Sequence, residues 1–392
     1  MRLKSSIRVA LVGPFILAAA LLLAACAADP LPTPTTAPMP PPIVDPTATP
    51  MPAADPADTP EPVTALPGEG VTVRVAFPNW TSEYVAAEIV NLALKELGYE
   101  ISEVGDRTVP NPLIFTSISQ GDIDVFPNAW WPLHSPQVAE VPNPDNVVLA
   151  GTWAQAGALE GFLVDRATAD AHGITSLEDF KDPEIAALFD RSGNGKADMV
   201  GCPPGWGCHE HINFLWDQYD LGDHIDLIEA DYTPAMADTL SRYESGESIF
   251  FYTWTPNWTV YALTPGQDVV WIEVPEPIDL SLSEDFIEAG FTSQEVNITG
   301  VTGCVDDPCA MGFVGNDLGI LAYRPFLNDN PAAARLFELI EIPLPFVFEQ
   351  NNLMFEEEED SSEDIRRHAQ EWVQANEDLF NSWLEQARQA AQ

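Results

Sequence analysis

The stretch Val71–Gly98, VTVRVAFPNWTSEYVAAEIVNLALKELG, carries two periodicities in succession. Val71, Val73 and Val75 alternate with other residues, the period of a half-buried strand. Between Thr81 and Leu97 the apolar residues Ala86, Ile89, Val90, Ala93 and Leu97 follow the period of an amphipathic helix, and Gly98 closes it. A strand feeding a capped helix predicts an α/β fold. Further strands are expected at Gly161–Val164, Ser248–Trp254, Asp268–Val274 and Gly319–Tyr323. Asn330-Pro331 reads as a helix start, with Asn as N-cap and Pro at the first helical position. Residues Ser361–Ala391 have the spacing of a long or broken helix pair with Trp372, Phe380 and Trp383 as core anchors. Strands interleaved with helices over about 320 residues fit two α/β lobes better than one, and no internal repeat is visible.

Upstream of Val71 the composition changes. Arg2, Lys4 and Arg8 form a positive start, Val9–Leu23 an apolar run of signal-peptide length, and Leu23-Ala24-Ala25-Cys26 resembles a bacterial lipobox. Residues 1–25 therefore read as a signal peptide and Cys26 as the lipidated N-terminus of an exported protein, held at the outer face of a membrane. Of the 36 prolines, 14 lie between Ala27 and Gly70, so residues 26–70 form an extended, semi-rigid spacer.

The full chain of 392 residues carries 16 Lys+Arg against 61 Asp+Glu, a net charge of −45. Such a chain repels a nucleic-acid backbone, whose affinity for proteins comes largely from Lys and Arg displacing counterions. Docking on anionic lipid through a basic face is excluded on the same ground. With 46 % hydrophobic residues, the chain has enough apolar surface to bury a core.

Besides Cys26, four cysteines remain, in two close pairs, Cys202/Cys208 and Cys304/Cys309. In an oxidising compartment such pairs read most simply as loop-stapling disulfides. A zinc site would recruit His209 and His211 after Cys208, but the second pair has no histidine beside it.

Tryptophan is concentrated in turn-like settings: Trp80 in FPNWTSE, Trp130 and Trp131 in PNAWWPLH, Trp206 in GCPPGWGC, and Trp254 and Trp258 in YTWTPNW. Rigid aromatic faces presented from strand ends are what a cation–π cage for a quaternary ammonium requires. Turn tryptophans also plug loops onto cores, so spacing alone leaves both readings open.

PNAWWPLH, DPEIAALFDRSGNGKADMVGCPPGWGC, ADTLSRYESGESIFFYTWTPNW and GQDVVWIEVP together resemble the substrate-binding proteins of glycine betaine/proline betaine ABC importers, in order and over nearly all of the chain after Val71. The resemblance implies the two-lobed periplasmic-binding fold with two crossovers and the ligand in the cleft. Lobe I is then expected at residues 71–157 plus 313–392 and lobe II at 158–312. It implies that Trp130, Trp206 and Trp254 box the trimethylammonium. His134, with backbone N–H groups around Trp206 and Gly207, would hold the ligand carboxylate, and the Cys202–Cys208 bridge would keep the Trp206 loop rigid. The implied partners are a quaternary-ammonium ligand and an ABC permease with its cytoplasmic ATPase, bound by a monomer without cofactor or metal.

Two departures bear on the pocket. Where the family has a small polar residue after the first cage tryptophan, this chain has Trp131, which predicts a tighter pocket or a fourth wall; Trp80, in a strand-to-helix turn, is another candidate wall. The Cys304–Cys309 segment reads as a local insertion. DRSGNGKAD (190–198) has the look of a calcium loop but carries Gly201 where the twelfth-position Glu belongs, and EEEED (356–360) reads as a solvated face. No nucleophile elbow or phosphate loop is present, which disfavours a hydrolase of trimethylammonium compounds. A ligand-sensing subunit of a signalling system, and choline or carnitine in place of betaine, remain as alternatives.

Overall fold

The computed structural model describes residues 65–101, 109–274 and 296–392; the signal segment 1–25, Cys26 and the spacer as far as residue 64 lie outside the described residues. The first half runs β1 (Thr72–Val73), α1 (Tyr84–Glu96), β2 (Glu100–Ile101), α2 (Asn111–Gln120), β3 (Val125–Trp131), α3 (Ser135–Ala139), β4 (Val147–Asp165), α4 (Arg166–His172), α5 (Pro183–Phe189) and β5 (Ala197–Val200). It continues with α6 (Gly207–Gln218), β6 (Ile225–Ile228), α7 (Tyr232–Glu244), β7 (Phe250–Thr255), α8 (Thr259–Ala262), β8 (Val269–Ile272), β9 (Asn297–Ile298), β10 (Cys309–Ala310) and β11 (Asn316–Tyr323). The chain ends in helices α9 (Arg324–Asp329), α10 (Pro331–Leu339), α11 (Leu344–Glu356), α12 (Ser362–Ala375) and α13 (Glu377–Ala390).

The main sheet has the order β3-β11-β4-β7-β5-β6, with β8 also paired to β4. Its organising element is β4, 19 residues long. Residues Val147–Ala158 of this strand pair antiparallel with β11, whereas Leu159–Val164 pair with β7 and Phe162–Asp165 with β8. One continuous strand thus belongs to two strand groups, and the partner changes between Ala158 and Leu159. The core is strongly aromatic: Phe77, Phe126, Phe162, Phe251, Phe313 and Phe337 are fully buried, each stabilising the fold by about 1.5–3 kcal/mol on transfer from water.

The expected strand at Val71 shrinks to Thr72–Val73 with an isolated bridge from Val75 to Val125. The helix expected from Thr81 begins at Tyr84, and its N-terminus has no side-chain cap. Ser82 and Glu83, which could have capped it, are turned to other work described below. Asn330 likewise does not cap α10; its Nδ2 donates to the Phe326 carbonyl at 2.9 Å. The C-terminal pair is as expected: Ser361 caps α12 by accepting the Asp364 N–H, and Trp372 stacks on Trp383 with ring centroids 5.8 Å apart.

Both close cysteine pairs are bridged, Cys202–Cys208 and Cys304–Cys309, so none of the four is a metal ligand. In the 190–198 loop, Asp190 accepts the backbone N–H groups of Gly193, Asn194 and Gly195, and Asp198 accepts those of Arg191 and Ser192. The acids serve the turn itself. Among the described residues no helix is long and apolar enough to cross a membrane.

Candidate functional site

A cavity is lined by four tryptophans, Trp80, Trp130, Trp206 and Trp254, together with His134, Glu160, Gly207 and Tyr252. Its walls come from elements far apart in sequence. Trp80 sits in the turn before α1, Trp130 on β3, Trp206 at the N-cap of α6 and Trp254 on β7. All four are buried, with relative exposures of 4–7 %. Trp206 meets Trp80 edge-on at 5.1 Å and 65°, and Trp254 edge-on at 5.5 Å and 74°. Tyr232 backs Trp254 at 4.6 Å. An adjoining space that shares Trp80, Trp206 and Trp254 is lined by Asn79, Asp231, Tyr232 and Trp258 as well.

Three of the four indoles are pinned through their N–H groups by one short segment. Trp206 Nε1 donates to Asn79 Oδ1 at 3.0 Å, Trp254 Nε1 to Ser82 Oγ at 3.0 Å and Trp80 Nε1 to Glu83 Oε2 at 2.8 Å. The segment is anchored from behind, since Asn351 of α11 donates to the Ser82 carbonyl at 2.9 Å. In-plane N–H bonds fix a ring while leaving its face, where the negative quadrupole lies, free for a cation.

At another wall, His134 Nδ1 accepts the Trp130 backbone N–H at 3.1 Å, which puts the imidazole proton of the neutral ring on Nε2. Burial pushes this histidine down to about 3, so it remains a neutral donor at physiological pH. Beside it begins α6, whose first residue is Gly207. A Cβ there would lie 3.0 Å from Leu133 Cγ and 3.3 Å from His134 Cδ2, so glycine allows the helix start to approach the histidine. Gly205, at φ +88°, makes the turn into the helix, and a Cβ on it would strike Pro112 at 2.5 Å. A 12-residue helix N-terminus carries partial positive charge, so a neutral donor and a helix dipole converge on one end of an aromatic cavity.

Glu160, on β4 in register with Trp254, is 1 % exposed. Its Oε1 accepts the Tyr252 hydroxyl at 2.5 Å and its Oε2 the Asn316 Nδ2 at 2.9 Å. Asn316 Oδ1 in turn accepts the Leu133 N–H at 3.0 Å. Burial pushes this carboxyl up to about 8. Burial also pushes Glu83, the Trp80 partner, up to about 7.

Of the residues expected to form the site, Trp80, Trp130, His134, Trp206, Gly207 and Trp254 line the one cavity, and Trp131 does not. Adjacent residues of a strand point to opposite faces, so Trp130 and Trp131 are not expected to look inward together from β3; Trp131 is half-buried and packs against the core without lining the cavity. Trp258 stacks on Phe355 at 4.7 Å and 16°. Sequence reasoning passed over Asn79, Ser82, Glu83, Glu160 and Tyr252. A single acid set between Leu159 and the apolar run Gly161–Val164 of β4 was the available signal for Glu160.

The family model for the substrate-binding domain of ABC-type glycine betaine transport systems matches residues 71–375. The glycine betaine-binding periplasmic protein OusX of Dickeya dadantii is 36 % identical over 326 residues, 83 % of this chain and 92 % of that protein. The glycine betaine/proline betaine-binding periplasmic protein of Escherichia coli is 34 % identical over 322 residues, 82 % of this chain and 92 % of that protein. A crystal structure of a glycine betaine, L-proline ABC transporter binding protein from Borrelia burgdorferi superposes with a TM-score of 0.60 at 17 % identity, covering 82 % of this chain and 100 % of the other. That likeness gives the two-lobed periplasmic-binding fold, with β4 running through its sheet. The chain belongs to the family of substrate-binding domains of ABC-type glycine betaine transport systems.

Proposed function

We propose that this protein captures glycine betaine, or a related quaternary-ammonium zwitterion, in the tryptophan-lined cavity and delivers it unchanged to a membrane ABC permease driven by a cytoplasmic ATPase. The observation that carries the reading is the convergence of pinned indole faces with His134 and the α6 N-terminus on a single buried cavity. A trimethylammonium has no N–H to donate and is too large for a carboxylate fork, so aromatic faces are its natural partners, each contributing about 0.5–2 kcal/mol when dehydrated. In this reading Trp130, Trp206 and Trp254 are walls, with Trp80 as a fourth. His134 and the backbone N–H groups at Trp206 and Gly207 hold the carboxylate.

In the same reading, residues 71–157 plus 313–392 form one lobe and 158–312 the other. The change of β4 partners between Ala158 and Leu159 supports that boundary. Cys26 carries a diacyl anchor on the outer face of the membrane and residues 26–70 give the binding domain its reach. The protein acts as a monomer and makes or breaks no bond in its ligand.

Titration of the purified full-length protein with glycine betaine, proline betaine, choline and carnitine, followed by tryptophan fluorescence and calorimetry, tests the proposal. Saturable quenching or a spectral shift with a one-to-one heat is expected, with unchanged ligand recovered afterwards. No response at millimolar concentrations of any of the four would rule the reading out.

A further inference from the structure

The cavity holds one group that neither an aromatic cage nor a carboxylate clamp calls for, a buried carboxyl. Glu160 lines the same space as Trp130, Trp206 and Trp254, and no Lys or Arg pairs with it among the described residues. It is not a loose side chain. Tyr252 and Asn316 hold its two oxygens, and Asn316 bonds on to the turn that carries His134, so the carboxyl is fixed relative to both ends of the cavity. An isolated carboxylate is costly in so apolar a place, whereas a cation seated a few ångströms away reverses the balance.

We propose that Glu160 is the charge-balancing residue of the site: its carboxyl is protonated while the cavity is empty and becomes the counter-ion of a quaternary ammonium seated between the tryptophan faces, releasing one proton to solvent as the cation enters. The inference rests on the reading of the cavity as a quaternary-ammonium site. No covalent bond is made in the ligand; the O–H bond of the carboxylic acid is the only one broken, and its proton goes to water or buffer.

Affinity should then rise with pH. In the empty protein the carboxyl is pushed up to about 8, so near neutrality most molecules carry the proton that the cation must displace. The other titratable groups around it do not account for this. His134, from the turn after β3, is held down near 3, and His211 of α6, bonded to the Gly312 carbonyl, near 4. Tyr252 of β7 and Tyr232 of α7 are both driven up by burial, Tyr252 further by Glu160 itself. Asn316, from β11, carries no charge. Glu83, which bonds the Trp80 indole and is pushed up to about 7, is another carboxyl near the site with a compatible range.

Calorimetric titration of the full-length protein with glycine betaine and with choline, in phosphate and in Tris at pH 7, measures protons released on binding. A release approaching one proton per ligand is expected for both, because they share the cation. From pH 6 to pH 8 the dissociation constant should fall, by at most about tenfold per unit, and level off above. Glu160→Gln, whose Oε1 can accept the Asn316 Nδ2–H while its Nε2 donates to the Tyr252 hydroxyl oxygen, should bind with little proton release and a nearly flat pH profile, while Glu83→Gln should keep the dependence. Binding of wild-type protein without proton release would overturn the proposal and leave the cation site standing. So would equal release from wild type and Glu160→Gln, which would move the role elsewhere. The wild-type buffer comparison decides the matter even if a variant fails to fold. No binding of either ligand would overturn the cation site and this inference with it.

Discussion

The Trp206 indole N–H donates to Asn79 Oδ1 at 3.0 Å, a bond between residues 127 positions apart in the chain. Its neighbour Ser82 does the same for Trp254 across 172 positions. The turn that ends the first strand is therefore the bracket of the aromatic site, and Asn79 is its test. Asn79→Ala leaves all four rings in place but frees the orientation of Trp206. The loss of one such bond is worth about 1 kcal/mol, so glycine betaine should bind about fivefold more weakly with a near-normal melting temperature. Unchanged affinity by calorimetry would show that Trp206 needs no such bracket.

Trp206→Ala and Trp131→Ala separate wall from scaffold. Trp206 lines the cavity and Trp131 packs against the core without lining it. Removing the wall should weaken binding by about 2 kcal/mol or more, since a buried aromatic anchor loses its contact with ligand entirely. Trp131→Ala should leave affinity unchanged and lower the melting temperature instead. Fluorescence titration beside thermal unfolding reads both, and a converse result would reverse the assignment of the two residues.

The strand–helix reading at Val71–Gly98 and the helices after Asn330 were legible because their apolar residues keep period, and so was the clustering of tryptophans in turns. The period of two also held the answer for Trp130 and Trp131, whose adjacency argues against a shared face in a strand. The helix is expected to start at Thr81, but the site uses the side chains of Ser82 and Glu83, and α1 begins at Tyr84 without a side-chain cap. Glu160 stayed hidden for a different reason. In a chain with 61 acidic residues a lone acid beside an apolar run is easily lost among the rest, and its partner Asn316 lies 156 positions away.

His134→Ala should discriminate among ligands. Its ring is a neutral donor held by the Trp130 N–H beside the α6 N-terminus, a position suited to a carboxylate and irrelevant to a bare cation. Glycine betaine and proline betaine should each lose about tenfold in affinity or more, the worth of a hydrogen bond to a charged group, while choline loses much less. Equal losses across the three, measured by calorimetry, would remove the histidine from the carboxylate end.

The buried acids should also shape stability in the absence of ligand. In the unfolded chain Glu160 and Glu83 ionise near 4.5, but in the fold they hold their protons up to about 8 and about 7. The folded state thus binds more protons than the unfolded one across that window, and their contribution to stability declines as pH rises through it. His134 and His211 act in the opposite sense lower down: depressed from 6.5 to about 3 and about 4, they make stability fall as pH drops below 6.5. Glu160→Gln should therefore gain on wild type between pH 5 and pH 8, by about 1.4 kcal/mol for each unit of pKa separating the folded and unfolded carboxyl. Denaturant titrations at several pH values check this, and a difference between the two proteins that does not vary with pH would show that Glu160 is not protonated in the fold.

The two disulfides should divide by function. Cys202–Cys208 encloses the turn that presents Trp206 and the first residue of α6, and Cys208 itself lines the cavity. Cys304–Cys309 closes a loop whose second cysteine lies on β10, and neither of its residues is among those lining the cavity. A loop tethered at both ends loses less freedom when ligand arrives, so opening the first bridge should make binding dearer in entropy even where the fold persists. Replacing Cys202 and Cys208 together by Ser should weaken glycine betaine binding by about tenfold, with a less favourable binding entropy. Replacing Cys304 and Cys309 together should lower the unfolding midpoint and leave the dissociation constant where it was. Equal effects of the two double variants on affinity would mean that neither bridge preorganises the site and that both act only through global stability.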